Sequence, residues 1–340
     1  MKNGTASKSN TANNMIPEYI NNWFYIIESM KNENTYKLAW GRALVECIYR
    51  NLYAENPDGR IVVSLNDIAK CMLKYYWNQI FFFNLKQGPT RSDNRQPYVV
   101  QYTNKLIELY KTRSGSALPV WFDKAETDLN TSEVNKIIKK IANVLPNDVS
   151  WRFKEINNKE VPIYSYDNKA RSHDVIFNKE NISLIKEYAI IISKLFNYKW
   201  AQLLEKFNYA PRVANKVNSI SDSKLKRESL TKYKNELMKQ FKDGVAIDFY
   251  SGKPLASDDI SVDHVIPWSF MYSDDIWNLV LTSKSNNSSK SNSIPSEEDI
   301  KKLKERNQKI VNLLDSKFSI EMKEAILNKY VDKYYFECRM

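Results

Sequence analysis

Residues 260–290 carry the strongest local folding signal of the chain. The run ISVDHVI at 260–266 mixes apolar and polar side chains as a half-buried strand does, and Pro267 ends it. After a polar loop, the run NLVLT at 278–282 predicts a second strand. Ser283 is then placed to cap a short helix. The segment therefore predicts a strand, a loop, a strand and a helix, in that order.

This order brings oxygen ligands and a base together. Asp263 ends the first strand and Asn287 lies one turn into the helix, so we expect these two side chains to converge. Carboxylate and amide oxygens suit Mg²⁺ or Mn²⁺, one ion per site, and leave positions for phosphate oxygens and water. His264, on the opposite side of the strand from Asp263, would be a general base toward water. Asn278 would tie the loop together and hold His264. The pattern favours metal-assisted phosphodiester hydrolysis.

The same segment resembles a known family. Residues 261–298 resemble the HNH, or ββα-metal, nucleases and are most similar to the HNH domain of RNA-guided CRISPR effector nucleases. The match is carried by VDHVIP at 262–267, SF at 269–270, DD at 274–275, Asn278, VLT at 280–282, Asn287, KS at 290–291 and IPSEE at 294–298. The resemblance implies that Asp263 and Asn287 bind the metal. It also implies that His264 is the base and that Asn278 orders the loop.

Lys290 matches a basic family position that contacts phosphate or supports the site. One departure from the family concerns zinc, which many small HNH proteins bind through paired CxxC motifs. Here YSG at 250–252 stands where the first pair often lies, and the three cysteines, Cys47, Cys71 and Cys338, form no CxxC. We therefore expect no structural zinc. The chain is also too short for a CRISPR effector and shows no second nuclease half, so RNA guidance is not carried over.

The positive charge of the chain is distributed unevenly. The formal net charge is +11. Residues 231–340 contain as many basic as acidic side chains, so the whole excess lies in residues 1–230. A basic excess of this kind is typical of proteins that contact nucleic acid, although AT-rich codons also enrich lysine. We expect the first two thirds of the chain to hold double-stranded DNA and the last third to cut it.

The periodicity predicts an α+β, mainly helical protein. We expect a disordered tail at 1–14, a basic, helix-rich DNA-binding region at 15–230, and a ββα-metal nuclease domain with C-terminal helices at 231–340. Apolar residues at helical spacing, a β-like run and turn signals predict the following elements. They are helices from Pro17, around 38–48, at 65–83, 99–112, 131–144, 182–207 and 222–242, a strand at 60–63, and a hairpin of 161–166 with 174–177.

Two segments are candidates for contact with DNA. The loop at 86–97 carries Lys86, Arg91 and Arg95 together with Gly and Pro, and the hairpin turn carries Lys169 and Arg171. A basic loop or hairpin can enter a DNA groove, but a solvated surface loop has the same composition.

The sequence favours a restriction-type or antiviral defence endonuclease. The alternatives are a homing-type endonuclease, a toxin-like nuclease, an RNA-cleaving nuclease and a DNA-binding scaffold with an inactive HNH fold. Three scattered cysteines, a polar N-terminus and no long apolar run predict a cytoplasmic protein without membrane segments. Because one HNH site cuts one strand, cleavage of both strands would favour a homodimer.

Overall fold

A computed structural model describes residues 16–89, 96–166, 174–219 and 229–339. The helices are α1 Glu18–Ser29, α2 Tyr36–Tyr49, α3 Leu65–Trp77, α4 Tyr98–Ser114, α5 Phe122–Asp128, α6 Thr131–Val144, α7 Val149–Phe153, α8 Lys179–Glu205, α9 Val213–Asn218, α10 Thr231–Met238, α11 Trp268–Met271, α12 Lys284–Lys290, α13 Glu297–Ile310, α14 Ser316–Leu327 and α15 Tyr330–Arg339. The strands are β1 Ala54–Glu55, β2 Arg60–Val63, β3 Glu155–Ile156, β4 Lys159–Glu160, β5 Ser165–Tyr166, β6 Val175–Asn178, β7 Ile260–His264 and β8 Leu279–Ser283. The α+β, helix-rich class is confirmed.

The N-terminal core is built around α2, which packs against α3 and α8. Large aromatic side chains fill it, and four tryptophans are fully buried: Trp23, Trp40, Trp77 and Trp200. The helices at this core begin where the sequence indicates. Ser64 caps α3 by accepting a hydrogen bond from the Asp67 N–H at 3.1 Å, and the helix predicted at 131–144 is α6. After α3 the chain continues as a π-helix, Asn78–Phe82.

Gly41 lets α2 approach the aromatic core closely. A Cβ atom at this position would lie 2.7 Å from the Phe153 ring and closer still to Phe196. Gly41→Ala should therefore destabilise the protein by about 1–3 kcal/mol, because two packed rings must shift to admit one methyl group. Urea unfolding measures the change. Gly88→Ala is the matched control, since its Cβ would meet only the Asn34 Cβ at 3.4 Å. Equal stabilities of the two variants would contradict this packing account.

A small sheet ties distant parts of the N-terminal region together. Its strand order is β1-β2-β6-β5, and all its pairs are antiparallel. The predicted hairpin is confirmed in β5 and β6, with Ser165 opposite Ile176, while its turn at 167–173 lies outside the described residues. β6 pairs on its other edge with β2, which the sequence pattern did not predict.

The helix predicted at 222–242 ends before residue 242. α10 ends at Met238, where the chain turns and the Phe241 N–H donates to the Met238 carbonyl. Residues 220–228 lie outside the described ranges, as does the predicted tail at 1–14.

The C-terminal residues form a second hydrophobic core. It runs from Tyr233 to Cys338, whereas the buried members of the first core end at Val217. The predicted domain boundary at 230/231 falls between these two cores but stays a prediction. Trp268 and Tyr272 join the two parts by packing against the first core, and the Tyr272 ring meets Phe83 edge-on at 5.2 Å. Within the described ranges, no helix has the length and apolar character needed to cross a membrane.

Candidate active site

The β7–β8 hairpin and α12 build one end of the C-terminal core. β7 pairs antiparallel with β8, with Asp263 opposite Val280 and His264 opposite Leu279. Ser283 caps α12 by accepting from the Asn286 N–H at 3.1 Å, so the predicted strand–loop–strand–helix order is confirmed. A cavity of about 320 Å³ lies beside the end of β7. Its walls include Val262, Asp263, His264, Asp274, Asn287 and Ser288.

Asp263 and His264 both reach this cavity although they are neighbours on a strand. We expected them on opposite sides of β7. Both residues nevertheless line the cavity, and His264 is the last residue of β7.

Asp263 is a nearly buried carboxylate with one oxygen engaged. Its Oδ2 accepts from the Tyr250 hydroxyl at 2.6 Å and lies 3.2 Å from the Lys290 ammonium. Burial raises the pKa of Tyr250 above its usual value, so this hydroxyl stays a donor. Within the described part of the chain Oδ1 has no such partner. One carboxylate oxygen is therefore left for a ligand.

The amide of Asn287 is oriented by β7. Its Nδ2 donates to the Ser261 hydroxyl at 2.7 Å and to the Val262 carbonyl at 3.4 Å. A carbonyl only accepts, so the amide nitrogen must face the strand and Oδ1 must be turned away from it. Asn287 thus offers an oxygen in the cavity that Asp263 also lines.

His264 is held by a carboxylate that sequence analysis did not single out for a role. Its Nε2 lies 2.8 Å from Asp274 Oδ1. A carboxylate that accepts at Nε2 fixes the proton there and leaves Nδ1 as the acceptor nitrogen. Asp274 was part of the acidic pair at 274–275 in the predicted loop, but only the fold brings it to His264. The sequence signal available for it is its place in that acidic pair, which carried the family resemblance without a role.

Lys290 and Asn278 support the end of β7 from two sides. The Lys290 ammonium donates to the His264 carbonyl at 2.6 Å as well as meeting Asp263. Asn278 is fully buried, and its side chain accepts from the Ile266 N–H and donates to the Ile266 carbonyl, both at 2.8 Å. Asn278 therefore fixes the chain just after β7 rather than contacting the His264 ring.

Asp248 joins the turn before β7 to the start of α12. Its carboxylate accepts from the Tyr250 and Ser251 N–H groups, from the Ser283 N–H at 2.7 Å, and from the side chains of Thr282 and Asn286. Burial acts to raise the pKa of Asp248, but these hydrogen bonds outweigh it and lower the pKa to about 2. The turn at 250–252 is thus held by an anion. The expectation of no structural zinc stays a prediction.

Asp248 should make stability depend on pH in the acid range. A carboxylate with a pKa of about 2 in the folded state and about 3.9 unfolded stabilises the fold by roughly 2–3 kcal/mol above about pH 4. This contribution is lost as the pH falls through about 2. Urea unfolding should therefore show Asp248→Asn well below wild type at pH 7, with the gap closing in acid.

Asp258→Asn is the matched control, because Asp258 is an exposed carboxylate of the same segment. It should match wild type at every pH. A gap between Asp248→Asn and wild type that stayed constant from neutral to acid pH would contradict the role given to the Asp248 charge.

The predicted DNA-contacting residues are only partly described. Lys86 is held at its backbone, where its N–H donates to Asn208 Oδ1 at 2.7 Å and its carbonyl accepts from Asn208 Nδ2. It is not among the residues lining the cavity. Arg91, Arg95, Lys169 and Arg171 lie outside the described residues.

The donor set fits a hard divalent cation with few protein ligands. Over the described ranges, no group of three or more His, Cys, Asp or Glu side chains is placed to share a metal ion. Asp263 and Asn287 instead offer one carboxylate and one amide oxygen in a polar cavity. Hard oxygens with open positions suit Mg²⁺ or Mn²⁺ better than a transition metal that prefers nitrogen and sulfur.

Two family models match the chain. One, described as HNH endonuclease, matches residues 248–296, which hold Asp248, the β7–β8 hairpin and α12. The other, described as Domain of unknown function (DUF8808), matches residues 20–221, more than half of the chain. No solved structure matches. The first match supports nuclease chemistry at the cavity, while the second covers the N-terminal core.

Proposed function

The chain belongs to the family described as Domain of unknown function (DUF8808), and we propose that it is a metal-dependent DNA endonuclease that hydrolyses phosphodiester bonds. One observation carries this proposal. Asp263, His264 and Asn287 line one cavity, so oxygen ligands and a base face the same space. The HNH endonuclease match over 248–296 supports the same reaction class.

Asp263 and Asn287 are the residues that would hold the cation. A divalent ion held there would supply charge stabilisation to the phosphate as negative charge develops on it. Tyr250 and Lys290 keep the Asp263 carboxylate in place through Oδ2. The amide nitrogen of Asn287 is engaged by β7, which turns its oxygen toward the ligand.

His264 would take the proton of the attacking water. With Nε2 bound to Asp274, Nδ1 is the acceptor, and the Asp274 carboxylate stabilises the imidazolium that forms. Attack of water on phosphorus with departure of the 3′ oxygen leaves a 5′-phosphate and a 3′-hydroxyl. Asn278 acts as a positioning residue, because it fixes the backbone two residues after His264.

The proposed biological role is that of a restriction-type or antiviral defence enzyme. A basic N-terminal region joined to a charge-neutral nuclease region is the arrangement expected of such an enzyme. This argument rests on analogy and not on the chemistry of the site. We propose double-stranded DNA as the substrate, held by the basic region. A second copy of the chain would be needed for concerted cleavage of both strands.

A side-by-side assay tests the substrate. The full chain is incubated with supercoiled plasmid and with an RNA transcript of the same sequence, each with Mg²⁺, with Mn²⁺ and with EDTA. We expect nicked or linear plasmid with either metal, and intact plasmid in EDTA. Preferential loss of the transcript would favour the RNA-cleaving alternative, and intact polymers throughout would favour the non-cleaving scaffold.

A further inference from the structure

An aromatic pair with one exposed ring lies on α4. Tyr98 and Tyr102 are four residues apart, which places them on one face of the helix. Their rings stack with centroids 6.4 Å apart and an interplanar angle of 24°. Tyr98 is 56% exposed, whereas Tyr102 is half-buried and packs against the first core, so Tyr98 is the ring of this pair that is open to solvent.

Lysines from two helices surround this pair. The ammonium of Lys105, on α4, lies 5.4 Å from the Tyr102 ring centroid, and that of Lys140, on α6, lies 5.9 Å from it. Lys136 is exposed one turn before Lys140 on the same face of α6. We call Tyr98, Tyr102, Lys105, Lys136 and Lys140 the α4–α6 surface.

The charge of this surface is not neutralised within the described residues. The carboxylates of these two helices already have partners, since Glu108 pairs with Lys111 and Glu133 pairs with Arg113. In the described part of the chain none of Lys105, Lys136 and Lys140 forms an ion pair. Like charges held together without counter-charges are unfavourable, and a polyanion would relieve the repulsion.

Another face of α4 lies near the candidate active site. Asn104, Glu108 and Lys111 line a second cavity of about 300 Å³, together with Phe270 and Asn292 of the C-terminal part. Asn292 also lines the cavity that holds Asp263 and His264. One helix therefore connects the α4–α6 surface to the margin of the proposed catalytic cavity.

We propose that the α4–α6 surface binds a locally unpaired stretch of one strand of the double-stranded DNA substrate, an inference that rests on the proposed nuclease function. Lysines contact the phosphates, and the exposed Tyr98 ring, backed by Tyr102, stacks on a base. A duplex hides its base faces, so an exposed aromatic ring gains most from unpaired nucleotides. Combining basic side chains with aromatic rings is how proteins hold single strands without reading sequence.

The test measures binding and not cleavage. Anisotropy of a labelled oligo-dT and of a labelled hairpin duplex is followed in a full-length His264→Ala background, across a salt series. Tyr98→Leu should weaken oligo-dT binding by about tenfold, because a lost base stack costs about 1–3 kcal/mol. Duplex binding should change little.

The lysines are tested by the salt dependence. Changing Lys105, Lys136 and Lys140 together to Gln should lower the salt slope for oligo-dT by about 2, since each single-strand phosphate contact contributes about 0.7. The matched control changes three exposed lysines of α13 and α14 to Gln, namely Lys301, Lys309 and Lys323. It removes the same charge and should leave the slope unchanged.

Three results would overturn the proposal. The first is oligo-dT binding by the tyrosine variant as tight as that of its parent. The second is an equal loss of slope in the control triple variant. The third is polyglutamate binding that depends on the same tyrosine, which would indicate an acidic protein partner. Failure of cleavage by wild type, with oligo-dT binding still dependent on these residues, would overturn the nuclease function but not the surface.

Discussion

His264→Ala should reduce DNA cleavage by about 10²–10⁴-fold, the usual cost of losing a general base. Asp274 lies 2.8 Å from Nε2 of the imidazole, so Nδ1 is the nitrogen that we propose as the proton acceptor. The substitution leaves the β7–β8 backbone pairing intact, because His264 pairs with Leu279 through main-chain groups. DNA affinity and melting temperature should therefore change little. Single-turnover cleavage of supercoiled plasmid measures the rate.

Two further variants test whether the loss of cleavage is specific to the His264 imidazole. Ser288→Ala alters a residue that lines the same cavity but donates to the Lys284 carbonyl within α12, and it should cleave near the wild-type rate. Asp274→Asn keeps a side chain beside the ring but no longer fixes its tautomer, so we expect a smaller loss of about 10–100-fold. Wild-type cleavage by His264→Ala would remove His264 from the mechanism.

Asp263→Asn should abolish cleavage at every metal concentration. It removes the only carboxylate among the two proposed ligands, and a bound cation supplies several kcal/mol of charge stabilisation. At about 1.4 kcal/mol per tenfold, the rate should fall by roughly 10³-fold or more. Because Lys290 would lose its partner at 3.2 Å, a melting curve must accompany the assay.

Asn287→Ala is the informative comparison for Asp263→Asn. It removes a neutral ligand, so the charge that attracts the ion remains and high Mn²⁺ should restore part of the rate. A Mn²⁺ titration of cleavage separates the two variants. If Asp263→Asn cleaved with the metal dependence of wild type, the proposed ligand pair would be wrong.

The local order of the site was predictable because its elements are contiguous. β7, β8 and α12 fall within a short segment whose apolar runs, Pro267 and the Ser283 cap each indicate one element. The positions of Asp263, His264 and Asn287 on those elements follow from the spacing alone. What remains a prediction is the chemistry that these residues perform.

The contacts that shape the site were not predictable from spacing. Tyr250 reaches Asp263, and Asp274 reaches His264, through turns whose paths depend on the whole C-terminal core. Asp248 had no assigned role in the sequence, yet its carboxylate accepts hydrogen bonds from the turn and from the start of α12. Such roles depend on side-chain geometry, which a residue pattern does not encode.

The N-terminal region shows the same division between local and distant information. Helices such as α6 follow from apolar periodicity within one segment. Two contacts join segments that are far apart in the chain: the pairing of β2 with β6 and the close approach at Gly41. A local sequence pattern therefore cannot predict them. The short helices α5, α7 and α9 were missed because too few turns are present to establish a period.

The most direct test is to cut plasmid DNA with the purified full-length chain in Mg²⁺ and then treat the product with DNA ligase. Water attack with departure of the 3′ oxygen leaves ends that ligase can join. We predict nicked circles that ligase recloses, and nicking by His264→Ala at least about 10²-fold slower under the same conditions. Plasmid left intact in both Mg²⁺ and Mn²⁺, or nicks that ligase cannot seal, would contradict the account of this site as a hydrolytic HNH centre.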